Sequence, residues 1–349
     1  MAHSGPTRGW RLRVSPIRTP SLALVLAYVS APAHSSAGQA SHEPEQTKNM
    51  HARNSKGFPL LPDGAPERSE AWTSLLTTLV RNAQARHAER DAWLSDKHKD
   101  GPTFRTMRAT GPIWSMFSPT FPCLWSLEKK PSSSIVSDGG KWLCGVHELG
   151  VAATRPPRAN QKGGGCVVYS FGSHDKYHFE MRVHELAPSC AIHVFDPTVE
   201  TPTHEKKAPG AVTAFHRVGL AGEPGLLEYT SVLAKDGGRV KHNGTLQTLE
   251  HHMAQLGHTY LDVLKMDIEG SEWKMLEKVD WHALRIGVLL FEAHPIPLRG
   301  RAGDIHRLWS RLESAGLYQY AIEPVEHHDY SAQEVAFIHK DWTPGGWLR

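Results

Sequence analysis

The sequence predicts an α/β fold, in which a mostly parallel sheet is covered by helices on both faces and ends in an antiparallel hairpin. From about residue 110, apolar runs alternate with helical stretches, as they do in consecutive βαβ units. These runs lack the strict alternation of polar and apolar residues that marks a half-exposed strand. The sheet is therefore expected to be buried on both faces.

The predicted strands and helices lie between residues 166 and 339 of the chain. Strands are expected at residues 166–170, 191–195, 213–218, 261–266 and 286–291, helices at 177–186, 246–256, 271–278 and 305–315, and hairpin strands at 317–322 and 334–339. Ligands of such sheets bind beyond the carboxyl ends of the strands, near the switch in strand order. The residues that directly follow each strand are therefore the candidates for chemistry.

The first 33 residues have the pattern of a targeting segment. Arginines without any acidic residue precede an apolar run from Leu22 to Val29, and small residues follow at Ala31-Pro-Ala33. Residues 1–33 are predicted to be a signal peptide or short signal anchor, which places the protein in the secretory pathway, secreted or lumenal. The alternatives are organelle import and a signal-anchored membrane protein. Because the run is shorter than the ~20 residues that span a bilayer, membrane contact is expected only through this segment.

Three further parts follow the targeting segment. Residues 34–66 are rich in Ala, Ser, His, Pro and Gly, and they are predicted to be a disordered linker. Residues 67–110 have apolar residues at helical spacing, which indicates a helical stem or an N-terminal extension packed on the main domain. Residues 111–349 form that main domain.

Charge and cysteine content limit the classes of partner. The net charge of +3 gives no reason to expect nucleic acid, and the 23 histidines show no metal-ligand spacing, so no metal is expected. Cys166 and Cys190 lie beside apolar runs and are predicted to be small buried core residues. A disulfide between Cys123 and Cys144 is expected only in a secretory compartment.

Two strand ends carry residues that suit a nucleoside. Gly172 follows the first strand and would let the backbone approach a ligand where a side chain would block it. Asp196 follows the second strand, about 20 residues later, where an acid can accept hydrogen bonds from both hydroxyls of a ribose. The pair Asp196-Pro197 is also a common turn. The dinucleotide fingerprint G-x-G-x-x-G is absent, which argues against a nicotinamide enzyme.

Two later strand ends carry ionisable groups. Asp267 follows the fourth strand, whereas Ser271 and Glu272 fit the N-cap and the first turn of the next helix. Glu292 and His294 end the fifth strand. An imidazole beside a carboxylate can act as a general base near neutral pH, and the alternative is a solvent-facing histidine without a role.

Four segments occur in a fixed order, namely Asp138-Gly-Gly-Lys-Trp142, Tyr169-Ser-Phe-Gly172, Phe195-Asp-Pro197 and Lys265-Met-Asp-Ile-Glu-Gly-Ser-Glu272. Together they resemble the methyltransferase-like 24 family, a relative of the FkbM-type methyltransferases, over roughly residues 120–340. The resemblance implies a Rossmann-like class I methyltransferase fold with a mostly parallel seven-stranded sheet. It also implies S-adenosylmethionine as methyl donor and residues 111–349 as the methyltransferase domain.

The resemblance further implies roles for single residues. The cofactor-binding residues are Ser170, Gly172, Asp196 and Asp267. Gly172 would lie under the methionine part of the donor, Asp196 would hold its ribose, and Asp267 would lie near the sulfonium. Ser170 stands where the wider methyltransferase pattern has an acid.

The acceptor side is implied to be formed by other residues. The catalytic residues are Asp267, Glu292 and His294, and the substrate or lid residues are Asp138, Lys141 and Trp142. His294, oriented by Glu292, is predicted to remove the acceptor proton.

The predicted function is S-adenosylmethionine-dependent O-methylation of a small-molecule or glycan acceptor. One alternative is a catalytically silent Rossmann-like binding or scaffold protein of the secretory pathway. The other is a nucleotide-dependent enzyme such as a dehydrogenase, which the missing glycine fingerprint disfavours.

Overall fold

The structure is a computed structural model. It describes residues 70–97, 114–129, 141–152, 165–232, 239–294, 302–325, 332–344 and 346–347. The predicted targeting segment and linker lie outside the described residues. Among the described helices, none is both long enough and apolar enough to cross a bilayer.

Helices and strands alternate through the described chain. The helices are α1 (Glu70–Lys97), α2 (Val146–Ala152), α3 (His178–Leu186), α4 (His204–Lys207), α5 (Leu249–Leu256), α6 (Glu272–Lys278) and α7 (Ala302–Ser314). The first eight strands are β1 (Leu127–Lys129), β2 (Trp142–Cys144), β3 (Val167–Phe171), β4 (Ala191–Phe195), β5 (Ala214–His216), β6 (Val218–Leu220), β7 (Gly225–Val232) and β8 (Arg239–Gln247). The remaining strands are β9 (Leu261–Met266), β10 (Ile286–Ala293), β11 (Leu317–Pro324), β12 (Gln333–His339), β13 (Trp342–Thr343) and β14 (Gly346–Trp347).

A seven-stranded sheet forms the centre of the domain, in the order β11-β12-β10-β9-β3-β4-β5. The pairs from β10 to β5 are parallel, and β12 runs antiparallel to both of its neighbours. This confirms the predicted mostly parallel sheet with a terminal hairpin. The hairpin strand β12 is inserted between β10 and β11. Strand order reverses between β3 and β9, so their carboxyl ends flank the expected ligand position.

The central strands are buried on both faces because their apolar runs send alternate side chains to opposite sides. In β3, Tyr169 and Phe171 join one core cluster, and Val168 joins the other. Helices α5, α6 and α7 cover the first cluster, and α2 and α3 cover the second. The two sides of the sheet are named here the α5–α7 face and the α2–α3 face.

Three predicted element boundaries are wrong by several residues, and one of them is the helix predicted at 305–315, which begins at Ala302. The predicted strand 213–218 is divided between β5, which joins the main sheet, and β6, which joins a separate sheet of order β6-β8-β7. The predicted helix starting at 246 begins at Leu249 instead, because residues 246 and 247 belong to β8. Thr248 supplies the N-cap, and its side chain accepts a hydrogen bond from the backbone N–H of His251.

All four cysteines form disulfides, Cys123 with Cys144 and Cys166 with Cys190. The prediction that Cys166 and Cys190 are core residues is right about their burial but wrong about their chemistry. Each of the two directly precedes a strand, and β3 and β4 pair in parallel with Val167 opposite Ala191. This register places the two sulfurs side by side at the amino end of the sheet.

Helix α1 is packed against the domain rather than standing apart from it. The ring of Trp72 lies 5.8 Å from that of Trp125. Near the other end of α1, Arg90 and His87 both contact the carboxylate of Glu313 in α7, at 2.8 and 2.6 Å. Arg90 is buried, so this ion pair removes a charge from water and fixes where the helix lies.

Candidate active site

On the α2–α3 face, the sheet changes from apolar to polar toward the carboxyl ends of its strands. The residues two positions after the core residues Val168, Val263 and Leu290 are Ser170, Lys265 and Glu292. Residues two apart on a strand lie on the same face. Glu334 of β12 belongs to the same row, because it pairs directly with Glu292. All four polar side chains are buried, and together they are named here the polar row.

The turn after β3 is held by the backbone of β9. Gly172 has a φ of +78°, and a Cβ atom on it would lie 1.7 Å from the carbonyl oxygen of Asp267. The ammonium of Lys265 donates to the carbonyl oxygens of Phe171 and Gly172, at 3.2 and 2.5 Å. Gly172 is thus required by close contact between two chain segments, and Lys265, which had no predicted role, fixes this turn.

Asp196 organises the loop that follows β3. Its carboxylate accepts hydrogen bonds from the backbone N–H groups of Ser173 and His174, at 3.0 and 2.7 Å. Thr198 donates to the other oxygen through its N–H at 2.9 Å and its hydroxyl at 2.6 Å. Ribose binding by Asp196 stays a prediction, and a ribose hydroxyl has to share or replace one of these four donors.

A buried carboxylate lies beside Ser170. The Ser170 hydroxyl donates to Oε1 of Glu180 on α3 at 2.5 Å. Glu180 is 1% exposed, and its Oε2 makes no hydrogen bond within the described part of the structure. Position 170 has no acid, but the carboxylate of Glu180, ten residues later in the chain, lies beside it. The sequence pattern does not identify Glu180 as a site residue, because a glutamate on an amphipathic helix ordinarily lies at the surface.

Lys141 is the central cation of the site. Its ammonium lies 2.6 Å from Glu334 Oε1 and 3.3 Å from Asp267 Oδ2. Burial alone would lower the pKa of Lys141, but the neighbouring carboxylates raise it well above its usual value, so the group stays protonated. Burial likewise opposes ionisation of Asp267, but Lys141, Lys265 and His294 hold the pKa of Asp267 below its usual range.

Glu292 and His294 lie next to this ion cluster. His294 Nε2 is 3.4 Å from Glu292 Oε1, and His294 Nδ1 is 3.4 Å from Glu272 Oε1. Burial, followed by the negative charge of Asp267, raises the pKa of Glu292 to about 8, with Lys141 opposing the rise. Burial lowers the pKa of His294, but the carboxylates of Glu272 and Glu292 outweigh it and raise the pKa to about 9. His294 is therefore an imidazolium at neutral pH.

The other predicted residues lie in different surroundings. The indole N–H of Trp142 donates to Glu323 at 2.8 Å, and Lys129 lies over the ring, so Trp142 belongs to a half-buried cluster of its own. Asp138 lies outside the described residues. Ser271 occupies the N-cap position of α6, but its side chain makes no capping hydrogen bond. Glu272 caps the loop instead, accepting from the N–H groups of residues 268 and 270.

Oxygen and nitrogen donors of Asp267, Glu292 and His294 lie within 4.8 Å of one another, a spacing that could hold a metal ion. Lys141 and Lys265 already place two ammonium groups at 3.3 and 4.0 Å from Asp267. A divalent cation would have to bind beside these positive charges. The cluster is therefore better described as an ion network of the protein's own side chains, and the absence of a metal stays a prediction.

The sheet order, three helices on one face, and an ionisable cluster at the strand switch define a Rossmann-like class I methyltransferase fold. A family model described as "Methyltransferase domain" (Methyltransf_22) matches residues 83–339. The chain belongs to this family.

Two mammalian proteins are similar to part of the chain. The chain is 29% identical over 154 residues to "Probable methyltransferase-like protein 24" of Homo sapiens, and the alignment covers 42% of this chain and 38% of that protein. The Rattus norvegicus protein of the same description is 29% identical over 197 residues, covering 53% and 49%. The match thus spans less than half of either relative, and it is consistent with the family resemblance predicted from the four sequence segments.

Two solved structures align with the chain at lower sequence identity than these relatives. The fibrillarin pre-rRNA processing protein of Methanococcus jannaschii aligns with a TM-score of 0.30 and 9% identity, covering 61% of this chain and 88% of that one. The magnesium protoporphyrin IX methyltransferase (ChlM) of Synechocystis, solved with bound S-adenosylmethionine, aligns with a TM-score of 0.28 and 13% identity, covering 56% and 76%.

Proposed function

We propose that the chain is an S-adenosylmethionine-dependent methyltransferase that methylates a hydroxyl group of a small-molecule or glycan acceptor. One observation carries this proposal. Asp267 and Glu292 are neighbouring carboxyl groups at the strand switch, and their pKa values are driven in opposite directions. Such a divided pair assigns separate roles, with Asp267 as a permanent anion and Glu292 as a group that exchanges a proton near neutral pH.

The residues around the β3 turn fit the proposed cofactor. S-adenosylmethionine, when bound, supplies a methyl group activated by a positive sulfonium. Asp267 provides a carboxylate near that charge, Asp196 one near the ribose, and Gly172 the turn beneath the methionine part. The buried Oε2 of Glu180, which no group in the described residues pairs with, suits a ligand that carries an ammonium group. Ser170 orients this carboxylate.

Glu292 is the better candidate than His294 for the base that removes the acceptor proton. A base must be unprotonated at the working pH, and an imidazolium with a pKa of about 9 is not. With a pKa of about 8, Glu292 is partly ionised at neutral pH and basic enough to accept a hydroxyl proton on a carboxylate oxygen. The His294 imidazolium, 3.4 Å away, stabilises the carboxylate form and orients it.

We place this reaction in an oxidising compartment of the secretory pathway. Both pairs of cysteines form disulfides, which persist in such compartments and are rare in the cytosol. The targeting pattern of residues 1–33 supports the same placement. Glycans are abundant hydroxyl-bearing compounds of that compartment, and this favours a glycan acceptor over a cytosolic metabolite.

The proposal is tested by methyl transfer from methyl-labelled S-adenosylmethionine to a panel of free sugars, oligosaccharides and phenols, using the oxidised full-length chain. Activity is expected to rise with pH through an apparent pKa near 8, which belongs to the coupled Glu292–His294 pair. Glu292→Gln should lower turnover by roughly 10²-fold or more, and Glu292→Asp should retain part of it. Glu277→Gln, at an exposed position on α6, is the matched control.

Two outcomes contradict parts of this proposal. Full turnover in a folded Glu292→Gln variant would remove Glu292 from the role of base and return His294 to it. Cofactor binding without transfer to any hydroxyl acceptor would favour the silent binding protein over the enzyme.

A further inference from the structure

The central strand of the separate three-stranded sheet carries a modification motif. Asn243-Gly244-Thr245 lies within β8 and has the form N-x-T, the acceptor motif for asparagine-linked glycosylation. It is the one such motif in the 349 residues. The other asparagines lack Ser or Thr two positions later, and they are Asn49, Asn54, Asn82 and Asn160.

Side chains alternate between the two faces of β8, and the side chain of Asn243 lies on the outer face. Gly244 is buried, and a Cβ atom there would lie 2.6 Å from the Cβ of Pro197. Its neighbours Asn243 and Thr245 are both exposed. Because successive residues of a strand point to opposite faces, Gly244 contacts Pro197 on the inner face while Asn243 and Thr245 face water.

The outer face of this sheet also has an uncovered apolar residue. Leu226 of β7 pairs directly with Thr245, and Glu228 pairs with Asn243. Leu226 is 75% exposed, the highest value among the large apolar side chains described. It is a diagonal neighbour of Asn243, at a separation that a long group attached to the asparagine can bridge. A saccharide at Asn243 would cover this apolar surface.

The position leaves the candidate active site free. The inner face of β8 packs on Pro197, which directly follows Asp196. A group attached to the outer face disturbs neither that contact nor the polar row. The modification is therefore compatible with the folded domain and with its chemistry, and it does not depend on the methyl-transfer proposal.

The two disulfides provide an independent observation about compartment. All four cysteines form disulfides, which persist in an oxidising lumen and are rare in the cytosol. Asparagine-linked glycans are attached to chains in that kind of lumen. The exposed acceptor motif and the two disulfides thus both favour passage of the chain through an oxidising lumen.

We propose that Asn243 carries an asparagine-linked glycan. Its side-chain amide nitrogen, Nδ2, loses one proton and forms a bond to C1 of a sugar. The sugar is transferred from a lipid-diphosphate-linked oligosaccharide, whose C1–O bond breaks as the lipid diphosphate leaves with the electron pair. The Thr245 hydroxyl is the second recognition element of the motif.

The test is expression of the full-length chain in cultured animal cells, followed by treatment with peptide-N-glycosidase. The wild-type chain should gain mobility on treatment, and mass spectrometry should find deamidation at position 243. Asn243→Gln and Thr245→Ala should both abolish the mobility change completely. Thr245→Ser, which restores a hydroxyl, should keep it, and so should the control Asn82→Gln at an exposed position on α1.

Two results would overturn the proposal. The first is a wild-type chain with oxidised disulfides whose mobility is unaffected by the glycosidase. The second is a chain whose cysteines react with a thiol reagent without prior reduction, because such a chain has not passed through an oxidising lumen.

Discussion

Replacing Gly172 by alanine should destabilise the protein by much more than its backbone angle alone accounts for. The new Cβ would lie 1.7 Å from the carbonyl oxygen of Asp267, whereas real Cβ contacts are essentially never below 3.0 Å. The turn after β3 therefore has to move away from β9 by at least 1.3 Å. No side chain can absorb this shift, because both atoms in contact are fixed to the backbone.

The size of the destabilisation follows from the hydrogen bonds that this movement of the turn breaks. The turn is tied down by two backbone hydrogen bonds, Gly172 N–H to Phe195 at 2.9 Å and Asp267 N–H to Phe171 at 3.0 Å. Leaving buried groups unpaired costs roughly 1–3 kcal/mol each. The left-handed φ adds roughly 1–2 kcal/mol for any residue with a Cβ. The total is about 3–8 kcal/mol, and a loss above about 4–5 kcal/mol is exceptional for a single substitution.

Gly210→Ala is the matched control. Gly210 has a φ of +75°, close to the +78° of Gly172, but a Cβ atom on it would meet nothing within 4 Å. It should therefore cost the conformational part alone, roughly 1–2 kcal/mol. Urea titrations followed by tryptophan fluorescence measure both variants. Equal losses of the free energy of unfolding in the two variants would refute the close contact with Asp267.

Two further changes in stability are expected. Replacing Cys166 and Cys190 together by alanine should lower the free energy of unfolding by about 3.5 kcal/mol, from the loop closed by residues 24 apart; an unchanged urea midpoint would contradict this. The pKa of His294 rises from an ordinary 6.5 to about 9 on folding, so its stabilising contribution is complete below pH 6.5 and is lost as pH rises through 9. The wild-type free energy of unfolding should fall by up to about 3 kcal/mol over that range, and His294→Gln should flatten the pH dependence; an equally steep fall in the variant would rule out this source.

Much of the sheet could be predicted from the sequence, because local pattern and tertiary role agree there. Both bounds of the strand 261–266 were predicted, since its apolar residues begin at Leu261 and end at Met266, directly before Asp267. The long pair of β7 and β8 was missed. Glu228, Asn243 and Thr245 are exposed polar residues within it, so the pair lacks the continuous apolar run that identified the central strands.

The candidate site was predictable only in part. The proximity of Asp267, Glu292 and His294 was predictable, because the carboxyl ends of neighbouring parallel strands lie at the same end of the sheet. Their roles stay predictions. Glu334 and Glu180 could not be found in this way. Glu334 reaches the site because β12 is inserted between β10 and β11, and Glu180 because α3 turns its buried side toward Ser170. Both facts depend on tertiary packing.

The charge state of His294 was outside the reach of sequence reasoning for a similar reason. Its neighbour Glu292 was visible in the sequence, but Glu272 is 22 positions away and approaches to 3.4 Å only in the fold. The carboxylate of Glu272 raises the pKa of His294, so this imidazole is a cation at neutral pH and not a base. Protonation depends on the whole surroundings of a group, and these are assembled from several elements.

The most direct test is calorimetric binding of S-adenosylmethionine to the oxidised full-length chain, compared with Asp267→Asn and with Asp280→Asn. Asp280 is an exposed carboxylate that precedes β10, so it lies toward the amino ends of the parallel strands, away from the candidate site. The wild-type chain and Asp280→Asn should bind the cofactor alike, and Asp267→Asn should bind it at least 10-fold more weakly, about 1.4 kcal/mol. A folded wild-type chain that binds no S-adenosylmethionine would contradict the proposed function, and undiminished binding by Asp267→Asn would contradict the proposed site.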